Sequence, residues 1–208
     1  MELKVSHLSF QYTPQSPMVL QDVNFSIHSG ERVGIFAPSG YGKSTLAKLL
    51  AGMYTPTGGK ITLDGKPIPK SGIYPVQLIY QHPEQAINPR WQLKKVLEEC
   101  GTPTPELLGT LGIRTQWLTR YPHQLSGGEL QRFSIARALM SQAPFLICDE
   151  ISTMLDVVTQ AQIWRILMRL ASENQVGLLV VTHNMALAEK VCTRVYDLTQ
   201  TTHTEVNL

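Results

Sequence analysis

A glycine-rich segment that ends in Lys-Ser-Thr has the residue types of a phosphate-binding loop. Residues 37–45 read Ala-Pro-Ser-Gly-Tyr-Gly-Lys-Ser-Thr and lie between a short apolar run and a helical pattern. Glycines let consecutive backbone N–H groups turn inward around phosphate oxygens, and a following helix adds its partial positive charge. Lys43 can reach the outer phosphates, and the Ser44 hydroxyl can bind Mg²⁺. The segment therefore predicts phosphate binding, the alternative being an ordinary glycine-rich turn between a strand and a helix.

Two acidic residues follow an apolar run further along the chain. Residues 145–148 are Phe-Leu-Ile-Cys, and Asp149 and Glu150 come directly after them. In a parallel sheet, ligands bind at the carboxyl ends of the strands. We therefore expect Asp149 near a metal ion held by Ser44, and Glu150 where it can polarise an attacking water. The alternative is a solvated acidic pair, which the nearby phosphate-binding loop disfavours.

Two further segments could belong to the site. Residues 125–128, Leu-Ser-Gly-Gly, open a helical pattern and could form a second phosphate-binding turn, although a simple helix N-cap explains this segment better when it is taken alone. His183 follows the apolar strand predicted at 177–181. A lone histidine is more often structural than catalytic, but a place at the same sheet edge as Asp149 and Glu150 favours a role in the site.

The composition describes the domain that must position these residues. The chain has 208 residues, of which 43% are hydrophobic and 16% are charged, so it can bury the core of one large domain. Its formal charge of +2 gives no electrostatic argument for nucleic acid as a partner. The three cysteines are odd in number and widely spaced, which argues against a disulfide framework and suggests a reducing compartment.

Membrane crossing and secretion are also disfavoured. The longest apolar runs, such as residues 177–181, are far shorter than the ~20 residues that span a bilayer. Residues 1–5 lack a charged head followed by a long apolar stretch, so we expect no secretion signal. We therefore expect that the chain cannot carry a solute across a membrane by itself.

Hydrophobic periodicity predicts strands that alternate with helices. Strands are expected at residues 3–10, 19–27, 32–37, 60–63, 76–80, 145–148, 177–181 and 194–198. Helices are expected at residues 43–51, 93–100, 106–111, 127–140, 157–173 and 185–191. This alternation favours a parallel sheet with crossover helices, interrupted by a mainly helical insertion. The last residues, 199–208, have the composition of a polar tail.

Taken in their order along the chain, the glycine-rich loop, the segment at 125–128, the acidic pair and His183 resemble the motifs of the nucleotide-binding subunit of an ABC transporter. The resemblance extends over nearly the whole chain. The segment at 125–128 is what separates that family from other ATPases with a phosphate-binding loop. The resemblance implies an α/β fold in which a P-loop NTPase core sheet carries an N-terminal antiparallel β subdomain. It also implies one domain over residues 1–208, with an inserted helical subdomain at 82–143 that contains residues 125–128. ATP and Mg²⁺ are the implied cofactors, and ATP hydrolysis is the implied activity.

The resemblance also assigns roles to single residues. Glu150 resembles the general base and His183 the switch that holds the γ-phosphate. Gln81 resembles the residue that contacts Mg²⁺ and senses the membrane partner. Tyr12 resembles the aromatic residue that stacks on adenine, the alternative being an ordinary strand aromatic. Asp156 resembles the aspartate that bridges two subunits.

Such subunits act as head-to-tail dimers, in which each ATP lies between the two chains. The implied nucleotide contacts of one chain are Tyr12, Ser39, Gly40, Tyr41, Gly42, Lys43, Ser44 and Thr45. Those of the opposing chain are Ser126, Gly127, Gly128 and Asp156, which would explain two phosphate-binding turns in one sequence. The implied metal ligands are Ser44, Gln81 and Asp149.

Three segments narrow the resemblance to ATPases that serve peptide and nickel importers. These segments are residues 81–90, 121–124 and 155–162. In that group two different ATPases usually pair, so a heterodimer and a homodimer are both open. The expected partners are transmembrane permease subunits, a second ABC ATPase and, indirectly, a solute-binding protein, but no nucleic acid. The expected location is peripheral, on the cytoplasmic face of the cell membrane.

The sequence departs from the family pattern at three places. Ala37 replaces a glycine, Glu129 replaces the commoner glutamine, and residues 151–154, Ile-Ser-Thr-Met, replace the usual Pro-Thr-Ser-Ala. The groups that would do chemistry are all kept, so we do not expect a degenerate site. A non-transport ABC ATPase of DNA repair or translation is the alternative function. It is disfavoured because there is one cassette and only 44 positions separate Gln81 from Leu125.

Overall fold

The computed structural model describes residues 1–69, 71–153 and 155–199, and the backbone of residues 205–207. The strands are β1 (Glu2–Phe10), β2 (Leu20–His28), β3 (Arg32–Phe36), β4 (Gly58–Leu63), β5 (Lys66–Pro67), β6 (Val76–Ile79), β7 (Phe145–Asp149), β8 (Gly177–Thr182), β9 (Arg194–Asp197) and β10 (Glu205–Asn207). The α-helices are α1 (Lys43–Leu50), α2 (Leu93–Glu98), α3 (Pro105–Thr110), α4 (Gly127–Met140), α5 (Val157–Glu173) and α6 (Met185–Val191).

The described strands form two sheets. The smaller sheet has the order β2-β1-β4-β5 and is antiparallel. The larger sheet has the order β10-β9-β3-β8-β7-β6 and is parallel from β9 to β6. This arrangement confirms the predicted α/β fold with an N-terminal antiparallel part and a parallel core.

The parallel sheet separates two hydrophobic cores. Ile147 and Leu179 pack towards the antiparallel sheet and α1, in the first core. Leu146 and Leu178, one residue earlier on the same strands, pack into the second core with α2, α4, α5 and α6. Alternate residues of a strand point to opposite faces, so strands buried on both faces read as continuous apolar runs. The runs at 145–148 and 177–181 have that character.

Short helices occupy the chain between β6 and β7. They comprise α2, α3, α4 and single 3-10 turns at Pro83–Gln85, Thr115–Trp117 and Pro122–Gln124. Between Ile79 and Phe145, a stretch that the structure describes throughout, there is no strand. Trp117 and Phe133 are buried in the core that this segment shares with α5. The exact bounds of a helical subdomain at 82–143 remain a prediction.

Several predicted bounds need correction. The helix expected at 93–100 ends at Glu98, and the next begins at Pro105 because Thr104 caps its N-terminus. The predicted polar tail contains β10, which pairs antiparallel with β9; residues 200–204 and 208 lie outside the described part. None of the helices in the described residues is long and apolar enough to cross a bilayer.

Candidate functional site

The carboxyl ends of β3, β7 and β8 meet at one edge of the parallel sheet. Phe36 pairs with Thr182 and Asp149 pairs with Val181, so the three strands end at nearly the same level. The segments that follow these ends carry Lys43, Glu150 and His183. A cavity of about 440 Å³ opens beside them. Its lining consists of Tyr12, Val19, Ser39, Gly40, Gly42, Lys43, Ser44, Thr45, Gln81 and Glu150.

The glycine-rich loop enters α1 through a residue that must be glycine. Gly42 caps the helix with φ at 84°. A Cβ atom there would lie 2.9 Å from a methyl carbon of Leu20 and 3.0 Å from the carbonyl oxygen of Val19. No side chain caps the first turn of α1, so its N–H groups are left for an anion. Ala37 is fully buried and is not among the residues with positive φ, so this departure strains nothing.

Lys43 folds back over the loop instead of extending into solvent. Only 6% of its surface is exposed, and Nζ donates to the carbonyl oxygens of Ala37 at 2.8 Å and Pro38 at 3.0 Å. Glu150 Oε1 lies 3.6 Å from the same ammonium group. The positive charge is thereby held at the mouth of the glycine-rich turn, where the outer phosphates of a nucleotide would lie.

Glu150 occupies a constrained position between two partners. Its φ is 49°, in the left-handed region, and its backbone N–H donates to the carbonyl oxygen of Val181 at 3.0 Å. For a residue other than glycine this conformation costs on the order of 1 kcal/mol or more and is common at functional sites. Oε1 lies 2.9 Å from His183 Nδ1 and 3.6 Å from Lys43 Nζ. The carboxylate can therefore accept a proton from a water in the cavity and share it with an imidazole.

Asp149 is buried behind Ser44. Burial raises the pKa of its carboxyl group, and a hydrogen bond with the Ser44 hydroxyl opposes that rise. Within the described residues, Oδ1 of Asp149 is buried without a hydrogen-bonding partner. This carboxylate oxygen, which has no donor, and the Ser44 hydroxyl oxygen are hard oxygen ligands of the kind that Mg²⁺ prefers. The residues present therefore fit the ion.

Tyr12 stands over the loop with its ring half exposed. Its hydroxyl lies 2.8 Å from Thr45 Oγ1, and its ring meets the rings of Phe10 and Tyr54 edge to face, with centroids 5.1 and 5.8 Å apart. Tyr12 is 55% exposed and lines the cavity, so its ring is available to a base that enters there. Tyr54, which packs against Tyr12, carries no sequence signal because it lies in the segment that follows α1.

Gln81 lines the cavity and is tied to the segment after β7. Its Nε2 atom donates to Thr153 Oγ1 at 3.1 Å. Thr153 was not singled out from the sequence, although its spacing of three residues from Glu150 suits a side chain that bonds back to the preceding turn. Met154, the last residue of the departure at 151–154, lies outside the described residues.

The predicted contacts at 126–128 and Asp156 do not reach this cavity. They line a separate cavity of about 540 Å³ together with Leu155 and Thr159. The Ser126 side chain caps α4, and Asp156 caps α5 through the N–H groups of Val158 and Thr159. Hydrogen bonding to Thr159 lowers the pKa of Asp156. The structure thus joins the loop, the acidic pair, His183, Gln81 and Tyr12, but leaves the second phosphate-binding turn apart.

Known proteins resemble this chain over most of its length. The family model described as ABC transporter matches residues 20–153. The nickel import system ATP-binding protein NikE of Staphylococcus aureus (strain bovine RF122 / ET3-1) is 36% identical over 206 residues, covering 93% of this chain and 84% of that protein.

Solved structures share the fold closely. The ATP-binding subunit of an ABC transporter has a TM-score of 0.85 and 26% identity, and covers 100% of this chain and 90% of that chain. A bacterial ABC transporter cassette solved as a dimer has a TM-score of 0.84 and 25% identity, and covers 99% of this chain and 98% of that chain. The relatives found by sequence and those found by structure therefore belong to the same class, the ATP-binding proteins of ABC transporters.

Proposed function

The chain belongs to the ABC transporter family, and from that premise we propose that it hydrolyses ATP to power an importer whose solute is a nickel ion, another metal chelate or a peptide. ATP hydrolysis is the activity of the family, and the identity of the solute is the part of the proposal that goes beyond it. Nickel is favoured because the relative that is 36% identical is a nickel import protein. The segments at 81–90, 121–124 and 155–162, similar to those of peptide and nickel importers, support the same choice.

The cluster of Lys43, Glu150 and His183 is the observation that carries the chemistry. Lys43 neutralises charge on the outer phosphates, and Glu150 accepts a proton from the attacking water. His183 Nδ1, 2.9 Å from the carboxylate, positions Glu150, and its other ring nitrogen would hold the terminal phosphate, as the family resemblance implies. The chain positions the reactants and neutralises charge, because phosphoryl transfer asks for little covalent work from the protein.

Ser44, Asp149 and Gln81 are the residues that would hold Mg²⁺. The unpartnered Oδ1 of Asp149 supports this assignment. When bound, the ion would supply positive charge to the phosphates. Ser44 and Asp149 would supply oxygen ligands from the loop and from β7, and Gln81 would supply one from the segment after β6.

The separation of the two phosphate-binding turns supports a head-to-tail dimer. Residues 126–128 line a different cavity from Lys43, so one chain offers half of a nucleotide cage at each of two places. A second copy, or a second ABC ATPase, would complete both halves. Transmembrane permease subunits and a solute-binding protein complete the proposed importer, with this chain on the cytoplasmic face of the membrane.

The hydrolysis step is tested with Glu150→Gln. The variant keeps the shape of the side chain but cannot take a proton, so we expect ATP to bind and turnover to fall by about 10²–10⁴-fold. Glu189→Gln, an exposed acid on α6, is the matched control and should hydrolyse ATP like the parent. Normal turnover by Glu150→Gln would remove Glu150 from the role of base.

The transport step is tested in cells that lack this chain. Uptake of radioactive nickel and of a labelled oligopeptide is measured after restoring either the parent or Glu150→Gln. We expect the parent alone to restore uptake of one of the two solutes, which then identifies the substrate class. Full uptake of both solutes without the chain would contradict an importer role and would favour the non-transport alternative.

A further inference from the structure

Thr153 connects Gln81 with the backbone of Glu150. Its Oγ1 lies 3.1 Å from Gln81 Nε2 and 3.1 Å from the carbonyl oxygen of Glu150. Its backbone N–H also donates to that carbonyl, at 3.2 Å. Thr153 therefore belongs to a tight turn that starts at Glu150, and its hydroxyl is the link from this turn to Gln81.

The single proton of the Thr153 hydroxyl decides the direction of both hydrogen bonds. A carbonyl oxygen can only accept, so the proton goes to Glu150. The hydroxyl oxygen is then left as an acceptor, and the group facing it must be a donor. Of the two ends of the Gln81 amide, only the NH₂ end donates, which accounts for the contact with Nε2.

Fixing Nε2 also fixes the other end of the amide. Within the described residues, Gln81 Oε1 has no hydrogen-bonding partner, and the side chain lines the cavity with Ser44 and Lys43. An amide that presents its oxygen can bind a cation, whereas an amide that presents NH₂ would oppose one. Loss of a group that orients a metal ligand typically lowers metal affinity by about 10–100-fold.

We propose that Thr153 is a positioning residue that sets the Gln81 amide with its oxygen towards the metal position. The proposal rests on the proposed function, because it presupposes that Gln81 binds the Mg²⁺ that accompanies ATP. Thr153 lies in the segment at 151–154, which departs from the family pattern, but at this residue threonine replaces a serine and so keeps the hydroxyl. The positioning role needs a hydroxyl at residue 153 and no other feature of threonine.

The test compares metal affinity with nucleotide affinity in Thr153→Val. Valine keeps the shape of threonine but has no hydroxyl. Binding of Mn²⁺ to the protein with ATP is measured from the electron paramagnetic resonance signal of the free ion, as the loss of signal beyond that caused by the same ATP concentration without protein. Binding of ATP is measured separately in EDTA. We expect Mn²⁺ to bind about tenfold more weakly to Thr153→Val, with the metal-free affinity for ATP unchanged.

Three companion variants isolate the effect. Thr153→Ser keeps the hydroxyl and should restore Mn²⁺ affinity to about the parent value. Thr119→Val removes an exposed hydroxyl that likewise donates to the carbonyl oxygen three residues earlier, and should change neither affinity. In a Gln81→Ala background, Thr153→Val should have no further effect on Mn²⁺ affinity, because the amide on which it acts is gone.

The outcomes separate this inference from the proposed function. Equal Mn²⁺ affinity in Thr153→Val and the parent would overturn the role of Thr153 alone. A parallel loss of metal-free ATP affinity, or an unchanged effect in the Gln81→Ala background, would also overturn it, since either result indicates a general disturbance of the site. Failure of the parent itself to bind Mn²⁺ with ATP would instead overturn the metal site and the proposed function.

Discussion

At the scale of single residues, Tyr12 is the contact whose worth is easiest to measure. Its ring is braced by Phe10 and Tyr54, and its hydroxyl is held by Thr45. Stacking of a base on an aromatic side chain contributes about 1–3 kcal/mol. We expect Tyr12→Ala to weaken ATP binding by about 5–150-fold, and Tyr12→Phe, which keeps the ring, to stay close to the parent.

Isothermal titration of ATP and GTP into both variants checks this prediction. Stacking tolerates any base, so both nucleotides should lose affinity to a similar extent in Tyr12→Ala. Tyr121→Ala serves as the control, because Tyr121 is an exposed tyrosine that stacks on His123 away from the cavity. An equal loss of affinity in Tyr12→Phe and Tyr12→Ala would assign the effect to the hydroxyl and contradict a stacking role.

The functional residues that could be identified from the sequence are those whose role depends on residues close to them along the chain. Glu150 follows β7 directly and Lys43 ends the glycine-rich loop that follows β3, so the type of residue and its place after an apolar run predict the sheet edge. Thr153 and Tyr54 were missed for different reasons. The bond from Thr153 to Glu150 is local and could have been found, whereas the bond to Gln81 and the packing of Tyr54 on Tyr12 depend on chain segments that the fold alone brings together.

At the scale of elements, one ion pair joins the two sheets. Arg194 on β9 donates to Glu31 Oε1 at 2.6 Å and Oε2 at 3.0 Å, and to the carbonyl oxygen of Ser26 on β2 at 2.6 Å. Glu31 lies in the turn between β2 and β3. Because Ser26 is on β2 and Arg194 is on β9, the guanidinium group bridges the antiparallel sheet and the parallel sheet. A bidentate pair of this kind is stronger than an ordinary surface pair.

We expect Glu31→Gln to lower the free energy of unfolding by about 1–2 kcal/mol at neutral pH. Burial raises the pKa of Glu31, but its hydrogen bonds with Arg194 and the backbone of His28 lower it more, so the pKa in the folded protein lies below the ordinary value of 4.5. The contribution is therefore complete above about pH 4.5 and disappears as the pH falls through the lowered value.

Urea unfolding of the parent and of Glu31→Gln across pH 3–7 checks this prediction. The difference between the two proteins should be constant near neutrality and should shrink on acidification. Glu189→Gln, which removes an exposed carboxylate without a described partner, should match the parent throughout. A difference that grew as the pH fell would contradict the sign of the pKa shift.

The sequence predicted the elements better than their arrangement. The bounds of α5 and α6 are confirmed residue by residue, because Asp156 and Asn184 cap their N-termini and mark where the helices begin. The strand order could not be derived from periodicity, since β3 lies between β8 and β9, both of which are far from β3 along the chain. The predicted polar tail was wrong for β10, whose pairing with β9 depends on the open edge of the sheet and not on its own composition.

At the scale of the whole molecule, nucleotide should control assembly. We expect Glu150→Gln with ATP and Mg²⁺ to double in mass from the 23.2 kDa of the single chain, because hydrolysis can no longer reopen the dimer. Light scattering after size-exclusion chromatography measures this mass. Ser126→Ala in the same background should weaken the dimer, and Ser29→Ala, far from both cavities' phosphate contacts, is the control. A mass that stays at that of the monomer would contradict a homodimer and would leave a heterodimer with a different ATPase as the remaining alternative.

Glu129 is expected to restrain that assembly through the Ser126 hydroxyl. The hydroxyl donates to Glu129 Oε2 at 3.0 Å, and the backbone N–H of Ser126 donates to the same oxygen at 2.8 Å. The Ser126 hydroxyl proton, which would otherwise be donated to a phosphate of the ATP bound by the opposing chain, is thus donated to the Glu129 carboxylate. This carboxylate would also add negative charge beside that phosphate. Two like charges about 4 Å apart in water repel by about 1 kcal/mol.

Glu129→Gln removes the charge but keeps an oxygen that can accept from the backbone of Ser126. In the Glu150→Gln background we therefore expect the ATP concentration for half-maximal dimer formation to fall by about fivefold. Glu106→Gln removes an exposed acid from the first turn of α3 and is the matched control. An unchanged or higher ATP requirement in Glu129→Gln would show that this carboxylate only caps α4, because a cap stabilises the helix whether or not a nucleotide is present.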